Sequence, residues 1–247
     1  MEAKKKQAKA VARTALKVPT AEQLLEAGVH FGHLKRRWYP KMAPYIYTVK
    51  EGVHVFDLYK TQELLKNAAN FLREVVAKSG KVLFVGTKRQ AQEIVAREAS
   101  RVGAFYLNKR WVGGLLTNFD SVKKNIVKME DLEKKINEKS LSQYTKKEQL
   151  LAARELAKLE SDIGGLKGMR ELPQALVLAS AKSEEIAAAE ARHREIPLVG
   201  IVDTNADPSK VNYPIPGNDD AAASIEIIIK TLADAVASGK SAVKIQK

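Results

Sequence analysis

The sequence predicts an α/β fold built on a mostly parallel sheet with helices on both of its faces. Short apolar runs at residues 82–85, 175–179 and 197–202 alternate with stretches that have a helical apolar period. Each run ends in small or polar residues, as strands of a parallel sheet do before they turn into a helix. Alternation of this kind makes three layers, with one sheet between two layers of helices.

The chain begins with a basic arm and a short helix. Residues 1–19 carry lysines and one arginine against a single glutamate, and we predict that this arm is disordered. Thr20 can cap a helix over residues 20–27, and Glu22 lies in the first turn, where an acidic side chain favours the helix.

A strand and a helix lead into the central strands of the sheet. The strand is predicted at residues 53–56, and the helix at 58–79 has an apolar stripe and ends at Gly80. The apolar run at 82–85 then breaks at Gly86 and passes into a second amphipathic helix. An apolar run, a glycine break and a helical period in this order indicate a strand–turn–helix unit.

A second strand, predicted at residues 105–107, leads into a loop of basic, amide and aromatic residues at 108–118. We expect this strand to lie parallel and adjacent to the strand at 82–85. The loops after both strands then open on the same edge of the sheet, where open α/β sheets bind their ligands.

Residues 121–165 differ in character from the sequence on either side. They are highly charged, and apolar residues recur at spacings of three and four over 122–136 and again over 152–166. A polar break at 137–145 separates the two narrow apolar seams. The pattern predicts an inserted antiparallel helical hairpin that protrudes from the α/β body, because a narrow seam cannot cover a wide core face.

The second half of the body repeats the alternation of strands and helices. A helix is predicted at residues 183–192, a proline-containing edge strand at 213–216, and a long helix that runs to about Ser238. Asn218, Asp219 and Asp220 are predicted to cap that helix. The predicted units are an arm at 1–19, an α/β body at 20–120 and 166–238, a helical hairpin at 121–165 and a basic tail at 239–247.

The overall charge indicates a polyanionic partner. The chain has 247 residues with 42 Lys+Arg against 29 Asp+Glu, which gives a net charge of +13. Such a surplus favours nucleic acid first and an anionic membrane second. No cysteine is present, which excludes disulfides and thiolate zinc sites. No apolar run reaches the length of a membrane span, and we expect no membrane association.

Cations interleaved with aromatic and amide side chains are typical of RNA-binding surfaces, because the cations meet phosphates and the rings stack on bases. We predict phosphate contacts, which position the RNA without reading its sequence, at Arg36, Arg37, Lys41, Lys88, Arg89, Lys109 and Arg110. We predict base or sugar contacts at Trp38, Trp111 and Asn118. The alternative is that the rings pack on the domain, with Trp111 pinning its loop, while the arginines are only solvated.

A metal site is the weaker interpretation of the histidines. His30 and His33 are three residues apart, and Asp203 and Asp207 follow a later strand. These aspartates could complete a mixed nitrogen and oxygen ligand set if the fold brings them close. We predict no metal and no cofactor, with His33 and Asp203 as the candidate ligands if a metal binds. In the alternative interpretation the histidines bind backbone in a turn.

Enzyme motifs are absent from the expected positions. The strand at 82–85 is followed by GTKRQ instead of a G-x-G-x-x-G dinucleotide motif, and no G-x-S-x-G nucleophile elbow occurs. A Rossmann-like nucleotide-binding enzyme is the rival hypothesis. It would need a nucleotide at the sheet edge near Gly86 and Asp203.

Five segments of the chain, in the same order, resemble the bacterial form of the family of ribosomal protein two of the small subunit. The resemblance covers roughly residues 21–238, and several long motifs in one chain are highly specific. The matching segments are LLEAGVHFGHLKRRWYPKMAPYIY, VLFVGTKRQAQ, NKRWVGGLLTNF, IPLVGIVDTNADP and IPGNDD.

This resemblance implies a flavodoxin-like three-layer body with a protruding hairpin and a structural, non-enzymatic role. It implies binding to small-subunit rRNA and to neighbouring ribosomal proteins, including ribosomal protein one, by a chain that does not form homo-oligomers. It further implies a location on ribosomes in the cytoplasm, with an organellar ribosome as the alternative. One departure from the family lies at Ser180, where its members usually carry aspartate.

Overall fold

A computed structural model of the chain describes residues 17–138 and 145–244, so most of the predicted arm lies outside the described residues. The helices are α1 Ala21–Glu26, α2 Leu58–Ala77, α3 Arg89–Arg101, α4 Phe119–Asn137, α5 Lys146–Ile163, α6 Glu185–His193 and α7 Ala222–Lys244. The strands are β1 Phe31–Leu34, β2 Ile46–Lys50, β3 Val53–Phe56, β4 Val82–Val85, β5 Phe105–Leu107, β6 Ala175–Leu178, β7 Leu198–Val202 and β8 Tyr213–Pro216.

Five strands form one parallel sheet in the order β5-β4-β6-β7-β8. Numbered along the chain, this order is 2-1-3-4-5, in which the direction of winding changes between the first and third strands. Val85 pairs with Leu107 of β5 and with Leu178 of β6. The predicted α/β class and the predicted adjacency of the strands at 82–85 and 105–107 are therefore confirmed.

The core lies on both faces of this sheet. Within β4, Val82 and Phe84 pack with α2, α3 and α7, whereas Leu83 and Val85 pack with α4 and α6. All of these β4 side chains are buried. A strand that is covered on both faces needs apolar residues at every position, which explains the continuous run in the sequence.

The amino-terminal region forms a separate antiparallel sheet in the order β1-β3-β2. Only β3 was predicted. Glu51 and Gly52 both have positive φ (52° and 78°), and they join β2 to β3 in a two-residue hairpin in which Lys50 pairs with Val53. The side chains of β2 are largely exposed, so its sequence lacks the apolar alternation that reveals a half-buried strand.

Two helices, α4 and α5, occupy the segment predicted as an insertion. Lys128 of α4 forms an ion pair with Glu155 of α5. Part of the predicted turn between them, residues 139–144, lies outside the described residues. At the return to the sheet, Gly165 passes so close to β5 that a Cβ on it would lie 2.3 Å from the carbonyl oxygen of Tyr106. Only glycine fits this approach.

The ends of two helices differ from the prediction. Helix α2 ends at Ala77, two residues before the predicted end, and Ser79 takes the left-handed conformation with φ of 64°. Helix α7 continues to Lys244, beyond the predicted end near Ser238. Asn218 accepts the backbone N–H groups of Asp220 and Ala221, as a capping residue does.

Both edges of the parallel sheet carry short strands. Strand β8 is confirmed as an edge strand, and its prolines at 214 and 216 have no N–H to offer a further strand. At the other edge, the turn that contains Gly165 lies against β5. No helix in the described residues is long and apolar enough to cross a membrane.

Candidate nucleic-acid interface

Buried polar side chains gather at the carboxyl edge of the parallel sheet. Ser180 follows β6, Asp203 follows β7 and Asp219 follows β8, and all are buried. Ser180 Oγ donates to Asp219 Oδ2, and the backbone N–H of Asp219 donates to Asp203 Oδ2 at 3.4 Å. Ser180 therefore supplies a hydrogen-bond donor at this edge without adding a further buried negative charge.

Glu184 fills the crevice at the point where the sheet order changes, between β4 and β6. It is 2% exposed, and its Oε1 accepts the backbone N–H of Thr87 at 2.7 Å and the Thr87 hydroxyl at 2.9 Å. Burial raises the pKa of Glu184. Nucleotide-binding α/β proteins place phosphate in this crevice. A carboxylate of the chain itself takes the donors there, and its presence opposes the entry of an anion.

Lys88 lies beside this crevice and is bound from within the chain. Its Nζ donates to Asp219 Oδ1 at 2.6 Å and to Asp220 Oδ1 at 2.9 Å, and the side chain is 21% exposed. Burial acts to lower the pKa of Lys88, but the bonds and charges of these aspartates outweigh it and raise the pKa. Burial and the charge of Asp203 raise the pKa of Asp219. The role of Lys88 as a phosphate contact stays a prediction. Asp219, predicted as a cap, binds Lys88 instead.

The two candidate metal ligands, His33 and Asp203, lie together. His33 Nδ1 is 2.9 Å from Asp203 Oδ1, and its Nε2 is 3.4 Å from Asp220 Oδ2 and 3.0 Å from Asn205 Nδ2. The hydrogen bond to Asp203 raises the pKa of His33 although burial acts to lower it. One ligand atom from each of His33, Asp203 and Asp220 lies within 4.8 Å of the others. One imidazole and two carboxylates form a set that a divalent ion such as zinc can use.

Asp207, the other aspartate considered with His33, has a separate role. Its carboxylate accepts the backbone N–H and hydroxyl of Ser209 and the hydroxyl of Tyr39. Lys41 Nζ lies 3.4 Å from Asp207 Oδ2 and donates to Ser209 Oγ at 2.8 Å. Burial acts to raise the pKa of Asp207, but these bonds lower it to about 2. Lys41 thus has an internal partner while its side chain stays largely exposed.

Arg36, Arg37 and Trp38 follow β1 on an exposed turn. Neither arginine forms an ion pair with any residue that the structure describes. The Trp38 ring lies over the buried ring of His54 with the centroids 5.2 Å apart and the planes at 33°. The turn therefore presents two free guanidinium groups next to an aromatic ring that keeps one exposed side.

Arg89, Lys109 and Arg110 come from the loops after β4 and β5. Arg89 is the first residue of α3, and Arg89 and Lys109 are exposed without an ion pair inside the described ranges. Arg110 Nη2 lies 3.1 Å from Asp162 Oδ2, yet the Arg110 side chain is 68% exposed. All three cations therefore remain accessible to a partner, because the exposed ion pair of Arg110 is weak.

The loop after β5 is held by one buried carboxylate, Glu190 of α6. Trp111 Nε1 donates to Glu190 Oε1 at 2.9 Å, and the Gly114 N–H donates to the same oxygen at 2.8 Å. Glu190 Oε2 accepts the N–H of Leu116 at 3.0 Å. Trp111 is thus bound to α6 through Glu190, and its role as a base or sugar contact stays a prediction. Asn118 lies exposed directly before α4.

Sequence reasoning missed the roles of Glu184 and Glu190. Both carboxylates are buried, and Glu190 lies among Ala187, Ala188 and Ala191 on the buried face of α6. A glutamate at an apolar position of a helix is a readable signal, because a buried carboxylate requires donors. The identity of the donors could not be read, since they lie more than seventy residues away along the chain.

Comparisons with known proteins identify the family to which the chain is similar. A family model described as Ribosomal protein S2 matches residues 24–239. A protein of Petrotoga mobilis named small ribosomal subunit protein uS2 is 49% identical over 225 residues, which is 91% of this chain and 78% of that protein. A protein of the same name from Solidesulfovibrio magneticus is 49% identical over 220 residues, or 89% of this chain and 85% of that protein.

These matches confirm the resemblance found in the sequence motifs. The family model spans both the parallel sheet and the segment with α4 and α5, and both relatives align with most of the chain. The chain therefore belongs to the ribosomal protein S2 family, whose members are structural components of ribosomes and not enzymes.

Proposed function

We propose that this chain is a structural constituent of the small ribosomal subunit and that it binds small-subunit rRNA through an exposed basic surface. The observation that carries the proposal is a set of exposed cations without an ion pair among the described residues. In a chain of net charge +13, such groups favour a polyanion over a protein partner. Four of the predicted phosphate contacts belong to this set, namely Arg36, Arg37, Arg89 and Lys109.

The roles of the other predicted residues follow from their surroundings. Arg110 is also assigned as a phosphate contact, because its ion pair with Asp162 is exposed and weak. Lys41 is assigned likewise, because its side chain is largely exposed although it lies near Asp207. Trp38 and Asn118 are the proposed base or sugar contacts, because both are exposed. Lys88 and Trp111 are assigned to the support of their loops, since each is bound to a carboxylate of the chain.

The partners and location are proposed from the resemblance. Helices α4 and α5 form the antiparallel hairpin that protrudes from a flavodoxin-like body and contacts neighbouring ribosomal proteins. The chain supports attachment of ribosomal protein one, acts without forming homo-oligomers, and works on cytoplasmic ribosomes. The names of the relatives, which place those proteins in the small subunit, support this proposal.

No observation favours the rival nucleotide-binding enzyme. Its proposed site near Gly86 is the crevice that Glu184 fills. Buried carboxylates at Asp203 and Asp219 make the same edge unfavourable for an anionic nucleotide.

The proposal is tested by sedimentation of the tagged protein from a native lysate at low and at high salt. We expect the wild type to migrate with small subunits, and Arg36→Ala combined with Arg37→Ala to shift a large fraction to the free pool at high salt. A control, Lys66→Ala with Lys230→Ala, removes the same charge from exposed positions of α2 and α7. Equal release of both variants would contradict a specific basic surface, and a free wild type would contradict the ribosomal function.

A further inference from the structure

We propose that Glu190 and Arg194, one helical turn apart at the end of α6, act together as positioning residues for the nucleic-acid contacts of the loop at 108–118. They hold the loop backbone by its two kinds of polar group, so that Lys109 and Arg110 face the RNA. This inference rests on the proposed function. It goes beyond that function by assigning a role to residues that do not themselves touch RNA.

Glu190 binds the donors of the loop. Its two oxygens accept the N–H groups of Gly114, Leu116 and Thr117, the Thr117 hydroxyl and the Trp111 indole N–H, at 2.8 to 3.3 Å. Burial acts to raise the pKa of Glu190, but these donors outweigh it and lower the pKa. The carboxylate is thus bound in its charged form, which makes each of these hydrogen bonds stronger than one between neutral groups.

Arg194 binds the acceptors of the same segment. Its Nε donates to the carbonyl oxygen of Leu116 at 3.0 Å, and its Nη2 donates to that of Thr117 at 2.5 Å. A negative and a positive side chain therefore bind the N–H and C=O groups of two consecutive residues, Leu116 and Thr117. This arrangement fixes the orientation of the peptide planes as well as their distance from α6, which a single hydrogen bond cannot do.

The two faces of the loop differ in a way that fits this role. Leu115 and Leu116 are fully buried beneath it, whereas Lys109 and Arg110 lie exposed at its start. Trp111 directly follows Arg110 in the sequence, and its indole is bound to Glu190. It therefore connects the exposed cations to the buried part of the loop. A displaced Trp111 would move the preceding residues, and a charged hydrogen bond to phosphate weakens as its distance and angle depart from their optimum.

The test uses the full chain and its rebinding to small subunits that lack this protein. Glu190→Gln keeps the shape of the side chain but loses its charge and places an amide NH2 against donors. Arg194→Ala is the second variant, because Arg194 is exposed and its loss leaves the core intact. We expect each to weaken rebinding roughly tenfold. The matched control is Arg192→Ala, an exposed arginine of the same helix that donates to the carbonyl oxygen of Ala188 one turn earlier.

A double-mutant cycle separates positioning from general destabilisation. In a chain that already carries Lys109→Ala and Arg110→Ala, we expect Glu190→Gln and Arg194→Ala to have little further effect on rebinding. In a Trp38→Phe background, Trp111 is the only tryptophan, and its fluorescence should shift to longer wavelength in Glu190→Gln while the melting of the whole domain stays cooperative. An additive loss of rebinding, or an unchanged emission with full rebinding, would overturn the proposal.

Failure of the proposed function gives a different result. If Lys109→Ala with Arg110→Ala rebinds as well as the wild type, the loop does not contact RNA. The positioning role then fails for that reason even when the Trp111 emission shifts. If the double alanine variant loses rebinding but Glu190→Gln and Arg194→Ala do not, the RNA contact stands and the positioning role alone is rejected.

Discussion

The loops after β4 and after β5 lie side by side at the carboxyl edge of the sheet, and each is held by a buried glutamate. Glu184 accepts the N–H and hydroxyl of Thr87 in the first loop, and Glu190 accepts the donors of the second. The cations of the two loops differ. Lys88 is bound to Asp219 and Asp220, whereas Lys109 is exposed and has no ion pair among the described residues.

This difference teaches that a basic residue in a loop is not by itself a surface charge. Lys88 of the first loop binds the buried Asp219 and the exposed Asp220, which joins the end of β4 to the end of β8. The cations of the second loop, Lys109 and Arg110, are exposed, and we propose that they contact RNA. The variants below test whether this division between support and contact is real, in order of decreasing expected effect.

The largest effect is expected from Asp219→Ala. It removes the buried carboxylate that binds Lys88 and Ser180, so we expect the free energy of unfolding to fall by about 3–5 kcal/mol. Urea denaturation measures this change. Asp220→Ala is the control, because Asp220 is 56% exposed and also binds Lys88, and its loss should cost less than about 1 kcal/mol. Equal losses would remove the distinction between a buried and a surface partner.

An intermediate effect separates the neighbours Lys88 and Arg89. Lys88→Ala should lower the free energy of unfolding by about 1.5–3 kcal/mol, because its charged hydrogen bonds are lost. Arg89→Ala should leave stability within about 0.5 kcal/mol and weaken binding to small subunits, since Arg89 is exposed. Urea denaturation and rebinding are measured on both variants. If Lys88→Ala weakened rebinding without any loss of stability, Lys88 would belong to the RNA contacts after all.

The smallest effect is a difference in pH dependence between the two glutamates. The pKa of Glu184 is raised, so its folded form keeps a proton that the unfolded form loses, and its contribution to stability falls as pH rises through that pKa. The pKa of Glu190 is lowered, so its contribution is lost as pH falls from the ordinary value of 4.5 through the folded pKa.

Unfolding of Glu184→Gln and Glu190→Gln, measured against the wild type from about pH 3 to about pH 7, tests these signs. We expect the wild type to lose stability relative to Glu184→Gln as pH rises and to gain it relative to Glu190→Gln. Slopes of the same sign would show that the two carboxylates are held in the same way.

The strands of the parallel sheet can be predicted from the sequence because they are buried on both faces and therefore consist of continuous apolar runs. The run at 82–85 and the glycine after it predicted both the strand and the turn, and β4 has those bounds. Strands β1 and β2 were missed because most of their side chains face solvent. Glu51-Gly52, a turn signal between two extended segments, was the available indication of the hairpin.

The site is less readable than the fold because its decisive contacts join distant parts of the chain. Lys88 and Arg89 are adjacent and alike in charge, but Asp219, 131 residues from Lys88, binds Lys88 and leaves Arg89 exposed. His33 and Asp203 were named as a pair from their residue types alone, and the fold does bring them together. Local sequence shows which groups need partners, and the topology decides which partner they meet.

The edges of the parallel sheet bear on the time before assembly. A ribosomal protein exists as a free chain between synthesis and incorporation, when an open strand could recruit a second copy and start aggregation. The prolines of β8 cannot donate at one edge, and the turn with Gly165 covers the short strand β5 at the other. Neither edge of this sheet therefore offers a full row of backbone donors and acceptors to a strand of a second copy.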